Sequence, residues 1–514
     1  MPKTPSDKLY RLIRSLSGSE KRYFKLAVKG QDSKYVQLFD AINAQETFDD
    51  EVLKRQVYGA RAVQSRKYSE LKAYLFDHLV KILQQYDESS VSDYRLAQLM
   101  AGVQVLFRRA HYQEATDQLQ RARKLAERYE DFSTILKILS WEKEIAYART
   151  DINQLARELP RIEAEEQYYQ RRVRQLTLYR NIFFRLLTHI RKGSSYRKDD
   201  RSAFFSDLIS HKLLEADSAA DSYRERVLFY RIHSIHAYAT LDWQKFHEDG
   251  KRLLTVLESN PAILKEEVSE YISALSNFVV SCSVLGSYTV MRAHLERFQA
   301  IRPQTTDDRI KIHRQYYLGL FEWSARTGEF EEGMTALRRH RKSVSDFPEA
   351  QFNSDSFHFY YFYLPFGHGD YEAALDALNR WINLPQSHER ADLQSLARIV
   401  NLIIHYELDN QLLLDSLIRS ARRFLKKQDK TYEFEQLILE LIAALLKQPD
   451  PRIQQQVFAD TRARFVSLQN TPTERAMLRN FDVMAWLDSK IENTSFASII
   501  RRNYAERETR TGEG

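Results

Sequence analysis

Gly369-Asp370-Tyr371-Glu372-Ala373-Ala374, followed by Leu378 and Trp381, is the stretch that decides the fold. A glycine ends one apolar-periodic run, a short acidic residue follows, and an aromatic opens the next run. Tyr371, Ala374, Leu378 and Trp381 fall at spacings 0, 3, 7 and 10. That places them on one helix face, with a small residue where a partner helix approaches. The same punctuation stands at Gly286-Ser287-Tyr288 and Gly328-Glu329-Phe330, so the three aromatics lie 42 and 41 residues apart. The same interval reaches Phe246 and Phe204 upstream, and Leu412 and Ile453 downstream. Such a period is the signature of stacked helical hairpins, each too thin to bury a core alone. The expectation is an all-α chain, an α-solenoid of hairpins built from two helices of about 17 residues each. All seven positions should be buried and should open equivalent second helices.

Composition agrees with a helical chain. Only 14 Gly and 11 Pro occur in 514 residues, against average usage of about 7% and 5%. The single cysteine, Cys282, excludes an internal disulfide framework and fits a reducing compartment. Its apolar surroundings, Phe278-Val279-Val280-Ser281, predict a buried, inert thiol. Met1-Pro2-Lys3-Thr4-Pro5 does not read as a secretory signal, and no uninterrupted apolar run approaches the ~20 residues of a membrane span. A cytoplasmic protein is expected.

The net charge of +7 is uneven. Residues 1–86 carry 16 Lys+Arg against 10 Asp+Glu, leaving +1 for the remainder. This N-terminal part also lacks the repeat. It reads as a helical module over 1–91, with Ser17 and Glu20 forming a capping box. Hairpins then fill 92–470, beginning with Tyr112, Ala115, Leu119 and Ala122. Ile152 opens a weaker copy, lengthened by a polar loop at 192–200. Capping helices are expected over 471–504, and a disordered tail over 505–514.

The segment 369–374 with Leu378 and Pro385 resembles the second half of a tetratricopeptide repeat. The interval of 41–42 exceeds that family's 34, and the first-helix pattern is poorly kept, although Leu318-Gly319 is present. A regular array of such hairpins is mostly a binding surface, with its concave groove as the expected site. The ends, residues 16–25 and 481–491, resemble an uncharacterised bacterial family with no assigned activity, which adds no mechanism.

The chain carries no phosphate loop, nucleophile elbow, dinucleotide fingerprint or His-Glu-x-x-His motif, so no catalytic residue, cofactor or metal ligand is assigned. His233 and His236 could share a helix face, but no third ligand completes a metal set. The aromatic run Phe357 to Tyr363 reads either as a helix buried on most sides or as a binding stripe. The stripe would comprise Tyr230, Arg231, His313, Arg314, Tyr316, Tyr317, His358, Tyr360, Tyr361 and Tyr363. Arg171, Arg172, Arg174, Arg180 and Arg185 form a basic face, either solvated or suited to an acidic ligand. Arg61, Arg66, Lys67 and Lys72 would be the nucleic-acid contacts of a regulator. The leading expectation is a non-enzymatic scaffold or adaptor holding a peptide or partner helix. The alternative is a ligand-responsive regulator whose N-terminal module contacts nucleic acid.

Overall fold

The computed structural model describes residues 6–30, 33–59, 65–87, 91–149, 152–191, 205, 208–216, 220–347, 351–383, 391–425, 433–468 and 481–512. Twenty-four α-helices and no strand occur among the described residues. The chain divides into two compact units, residues 1–239 with 255–267, and residues 240–254 with 268–514.

The first unit opens with α1 (Lys8–Ser15), α2 (Gly18–Ala27), α3 (Lys34–Ala44), α4 (Asp50–Tyr58) and α5 (Ser65–Asp87). Their buried residues, from Leu9 to Ile82, form a separate apolar cluster. The Ser17 hydroxyl accepts from the Glu20 N–H at 3.3 Å, and Glu20 accepts from the Ser17 N–H at 2.6 Å, so α2 starts on a reciprocal cap. A second cluster, Leu96 to Leu176, joins α6 (Ser92–Phe107), α7 (Tyr112–Arg128), α8 (Phe132–Ala148) and α9 (Ile152–Arg191). Ile152 therefore opens a single 40-residue helix rather than half of a hairpin, and the helix runs on through Pro160. Past Pro160, α9 buries Ile162, Leu176, Tyr179, Phe183 and Leu186 along its length, and no glycine interrupts it. The loop expected at 192–200 lies outside the described residues. The last helices here are α10 (Tyr223–Thr240), the final turn of α11 (Trp243–Glu258), and α12 (Pro261–Glu266).

The second unit continues with α13 (Val268–Leu285), α14 (Tyr288–Ala300), α15 (Thr306–Thr327), α16 (Phe330–Ser343), α17 (Asp355–His368) and α18 (Tyr371–Ile382). It ends with α19 (Ala391–Glu407), α20 (Gln411–Leu425), α21 (Glu433–Leu445), α22 (Pro451–Leu468), α23 (Val483–Ile491) and α24 (Phe496–Gly512). Each helix packs on the next from α13 to α24. In addition α13 touches α15, α15 touches α17, and α19 touches α21. The helices are unequal, 22 residues in α15 against 14 in α16, rather than two of similar length. By length and composition alone α13 is apolar enough to cross a membrane, although Glu270, Asn277 and several serines interrupt its apolar run. Half of that stretch is buried inside the protein.

One turn recurs. The residue two before the helix start is left-handed at Ala110, Leu241, Gly286, Gly328, Gly369 and Asp409, with φ of 60°, 63°, 77°, 82°, 90° and 54°. In four of these the next N–H reaches back five residues: His111 to Leu106, Ser287 to Cys282, Asp370 to Pro365 and Asn410 to His405, at 2.9–3.1 Å. This is the Schellman closure of the preceding helix.

The helix that follows buries positions 3, 7 and 10 after its first residue. These are Ala115, Leu119 and Ala122 in α7; Met291, Leu295 and Phe298 in α14; and Ala374, Leu378 and Trp381 in α18. In α20 they are Leu414, Ile418 and Ala421. This register corrects the seven expected positions. Tyr288, Phe330 and Tyr371 open their helices, the first two buried and the third half-buried. Phe246 is buried but sits at position 3, behind Trp243. Leu412 is 97% exposed and Ile453 is 45% exposed, because these helices open at Gln411 and Pro451 instead. Phe204 lies outside the described residues.

The C-terminus is also corrected. α24 continues to Gly512 through the segment expected to be a disordered tail. It packs on α15 and α17 as well as α23, rather than only capping the last hairpin. Phe496 lies 5.8 Å from the Phe330 ring and Tyr504 lies 5.7 Å from Tyr288, so the turns of two hairpins anchor it.

Candidate functional site

The face of α13, α15 and α17 carries a ladder of side-chain bonds. Lys311 donates to the Ser269 hydroxyl at 2.7 Å, Ser276 donates to Gln315 at 2.9 Å, and Ser283 donates to Glu322 Oε1 at 2.9 Å. Arg326 donates to Glu322 Oε1 at 2.9 Å, and the Tyr360 hydroxyl donates to its other oxygen. Glu322 thus ties three helices together, and its charge pushes the pKa of the Arg326 guanidinium up. Ser273 and Val280 of α13 stand exposed, while residues 311–318 of α15 are all half-buried.

Behind this face lies a buried polar thread. His340 of α16 is fully buried, 2.9 Å from His313 through Nδ1 and 2.7 Å from the Tyr361 hydroxyl through Nε2. Its ring stacks at 5.0 Å on Phe357 and meets Phe321 edge-on at 5.7 Å. Burial first, then His313 and Arg341, pull its pKa down to about 3. The ring is therefore neutral at pH 7, with one nitrogen donating and the other accepting. Burial also pushes the Tyr361 hydroxyl up to about 12, which keeps it protonated.

The predicted aromatic stripe divides accordingly. Arg314, Tyr316 and Tyr360 are half-buried, Tyr360 by its bond to Glu322, and burial raises the Tyr316 hydroxyl pKa. His358 bonds Asn353 at 2.7 Å through Nε2. His313, Tyr317 and Tyr361 pack around His340. Tyr363 is a core residue, 4% exposed, between Phe330 and Phe481. Tyr230 and Arg231 belong to the first unit, where Tyr230 is buried and Arg231 lies 4.2 Å over Phe183. Packing inside their own unit engages both.

The basic face is likewise redrawn. Arg172 is buried against Glu225 at 3.0 Å and also meets Asp221 at 2.9 Å. Burial raises the Glu225 carboxyl pKa, opposed by Arg172 and by two backbone N–H groups. Arg171, Arg174 and Arg185 are exposed within about 60° of one another, and exposed Arg180 projects to another side at about 100° per residue.

In the N-terminal helices Lys72 pairs with Asp50 at 2.9 Å, and Arg66 pairs with Glu70 at 2.9 Å. Lys67 is exposed, and Arg61 lies outside the described residues. The expected recognition cluster thus has two of its cations engaged by carboxylates. His233 bonds the Leu214 carbonyl at 3.1 Å, and His236 packs on Phe205. No group of three or more His, Cys, Asp or Glu is arranged for a metal among the described residues. Cys282 is fully buried, with burial pushing its thiol up to about 12.

Sequence inspection missed His340, Glu322 and Arg326. His340 had a signal: it occupies position 10 of its helix, where α14 and α18 have Phe298 and Trp381. Glu322 and Arg326 form an i, i+4 pair, a spacing too common in helices to single out.

No family model matches the chain, and no curated protein resembles it to a significant degree.

Proposed function

We propose that the chain is a non-enzymatic scaffold or adaptor whose second unit holds a peptide segment or partner helix. Its hairpins are tetratricopeptide-like, lengthened relative to that family, and belong to an array spanning 92–470. The observation that carries this reading is the α13–α15–α17 face. Ser269, Ser276 and Ser283 of α13 bond Lys311, Gln315 and Glu322 of α15, and Tyr360 of α17 bonds Glu322, a row of donors and acceptors able to exchange these bonds for those of a peptide main chain. Tyr316 and Tyr360 add aromatic area at low entropy cost. The buried thiol of Cys282 fits a reducing, cytoplasmic setting.

Affinity capture from the native cell tests this. Proteins retained by the wild type should be lost with Ser276→Arg and Gln315→Arg together, and kept with Arg338→Glu on the outer surface of α16. Equal retention by all three chains contradicts it. The regulator reading has less support, since Arg66 and Lys72 already have carboxylate partners.

A further inference from the structure

Between Glu166 and the end of α9 at Arg191 the sequence holds six arginines and no lysine, aspartate or glutamate. Upstream the helix pairs its charges: Arg161 meets Glu142, Glu158 and Glu165 at 2.8–2.9 Å, and Glu166 meets Lys143 at 2.7 Å. Arg172 points inward to Glu225 and Asp221. Arg180 borders a cavity whose wall includes Asp93, Glu130 and Asp131, so acids face it. Arg171, Arg174 and Arg185 differ. All three are exposed and carry no ion pair to any described residue.

Helix geometry puts these three within about 60° of one another, beside an exposed row of short polar side chains, Thr177, Asn181 and Thr188, that covers about 40°. Phe184, 59% exposed, lies at the far edge of that row. The inward side is fixed by the core: Leu176, Tyr179, Ile182, Phe183 and Leu186 are buried, and the Tyr179 hydroxyl donates to the Leu213 carbonyl at 2.8 Å. The nearest acid on the outward side of α9, Glu163, stands eight residues before Arg171, about 12 Å along the axis. The outward side is therefore positive over residues 171–188, about 26 Å, with one apolar ring in it.

We propose that this face docks an acidic amphipathic helix of a partner protein. Its cations are all arginine, which is enriched at interfaces together with aromatic rings, whereas lysine is depleted there. A guanidinium also holds a carboxylate in a two-bond fork. The occupant is a helix because its carboxylates must repeat as the arginines do, at three residues and then eleven, about 4.5 and 16.5 Å along the axis. Eleven residues is close to three turns, so a second helix packed nearly along α9 keeps register over that distance. Thr177, Asn181 and Thr188 are short enough to let its backbone approach, and Phe184 meets its apolar edge. A single exposed ring cannot stack a run of bases, and the strip is too polar to enter a bilayer. The face belongs to the first unit alone and is independent of the reading given for the second.

The test is fluorescence polarisation with the full chain and a labelled alanine-based peptide of about 20 residues, with glutamates at the i, i+3 and i+14 positions and leucines on the adjoining side. The wild type should bind it saturably, and more weakly as salt rises from about 50 to 300 mM. Arg171→Glu, Arg174→Glu and Arg185→Glu together should weaken binding at least about tenfold, as should glutamine in place of the peptide's glutamates. Phe184→Ser should weaken it several-fold. Lys447→Glu, an exposed charge reversal in the second unit, should leave it unchanged. All the α9 substitutions fall on exposed side chains, and an unchanged circular dichroism spectrum checks the fold. Absence of binding, equal binding of the glutamine peptide, or indifference to either α9 variant overturns the proposal. Tighter binding of an oligothymidylate or of vesicles containing phosphatidylserine, lost with the same triple reversal, overturns the choice of a helix.

Discussion

The Phe330 ring rests directly on Gly367: a Cβ built on that glycine would lie 2.0 Å from the ring Cε1. Gly367 belongs to α17, so the aromatic that opens α16 is seated by a missing side chain on the following hairpin. Phe330 is 1% exposed there.

Gly367→Ala should therefore displace the ring and destabilise the second unit by about 1–3 kcal/mol, as overpacking does in cores. Adding Phe330→Leu to Gly367→Ala should recover part of the loss. Urea denaturation followed by tryptophan fluorescence reads both, and strictly additive losses would refute the contact as the cause.

Two leucines two residues apart distinguish the registers. Leu414→Ala should cost about 2–5 kcal/mol, whereas Leu412→Ala should stay within about 0.5 kcal/mol. Leu414 is fully buried and Leu412 is 97% exposed. Thermal denaturation of the two variants should separate clearly, and comparable midpoints would restore the uniform 41-residue step.

The residues responsible explain what the sequence revealed. Glycine marks the left-handed turn at Gly286, Gly328 and Gly369, so those copies were legible. Ala110, Leu241 and Asp409 adopt the same conformation without glycine, at about 1–2 kcal/mol each, and leave no punctuation to find. Counting a fixed interval past Tyr371 then slipped by one residue at Gln411. The site was harder still. Its Tyr-rich run was visible, but whether each ring faced the interior depended on neighbours distant in sequence, such as Phe481 on Tyr363. Arg172 looked like its neighbouring arginines until Glu225, 53 residues away, was brought beside it.

His340 makes the second unit pH-sensitive. Its folded pKa lies below the unfolded value, so the unfolded chain binds more protons. The stability it contributes is present above about pH 6.5 and is lost as pH falls from there towards about 3. Between pH 7 and 5 the loss should be about 2 kcal/mol from this group alone. Burial also lowers His358 and His405, which act in the same direction, so the diagnostic quantity is the flatter pH profile of His340→Phe. An unchanged slope in urea midpoint against pH would contradict the buried neutral ring.

The full chain should not retard duplex DNA in a gel at low salt, because Lys72 and Arg66 are occupied by Asp50 and Glu70. A salt-dependent shift abolished by Arg66→Ala with Lys67→Ala would instead support the regulator reading.

Photocrosslinking from inside the native cell tests the binding face most directly. A benzophenone side chain is placed at Gln315 on the ladder of α15 in one chain, and at Arg338 on α16 in another. The account predicts a discrete partner adduct from position 315, which Ser276→Arg removes, and none from position 338. Adducts from position 338 alone, or the same adduct from both, would contradict it.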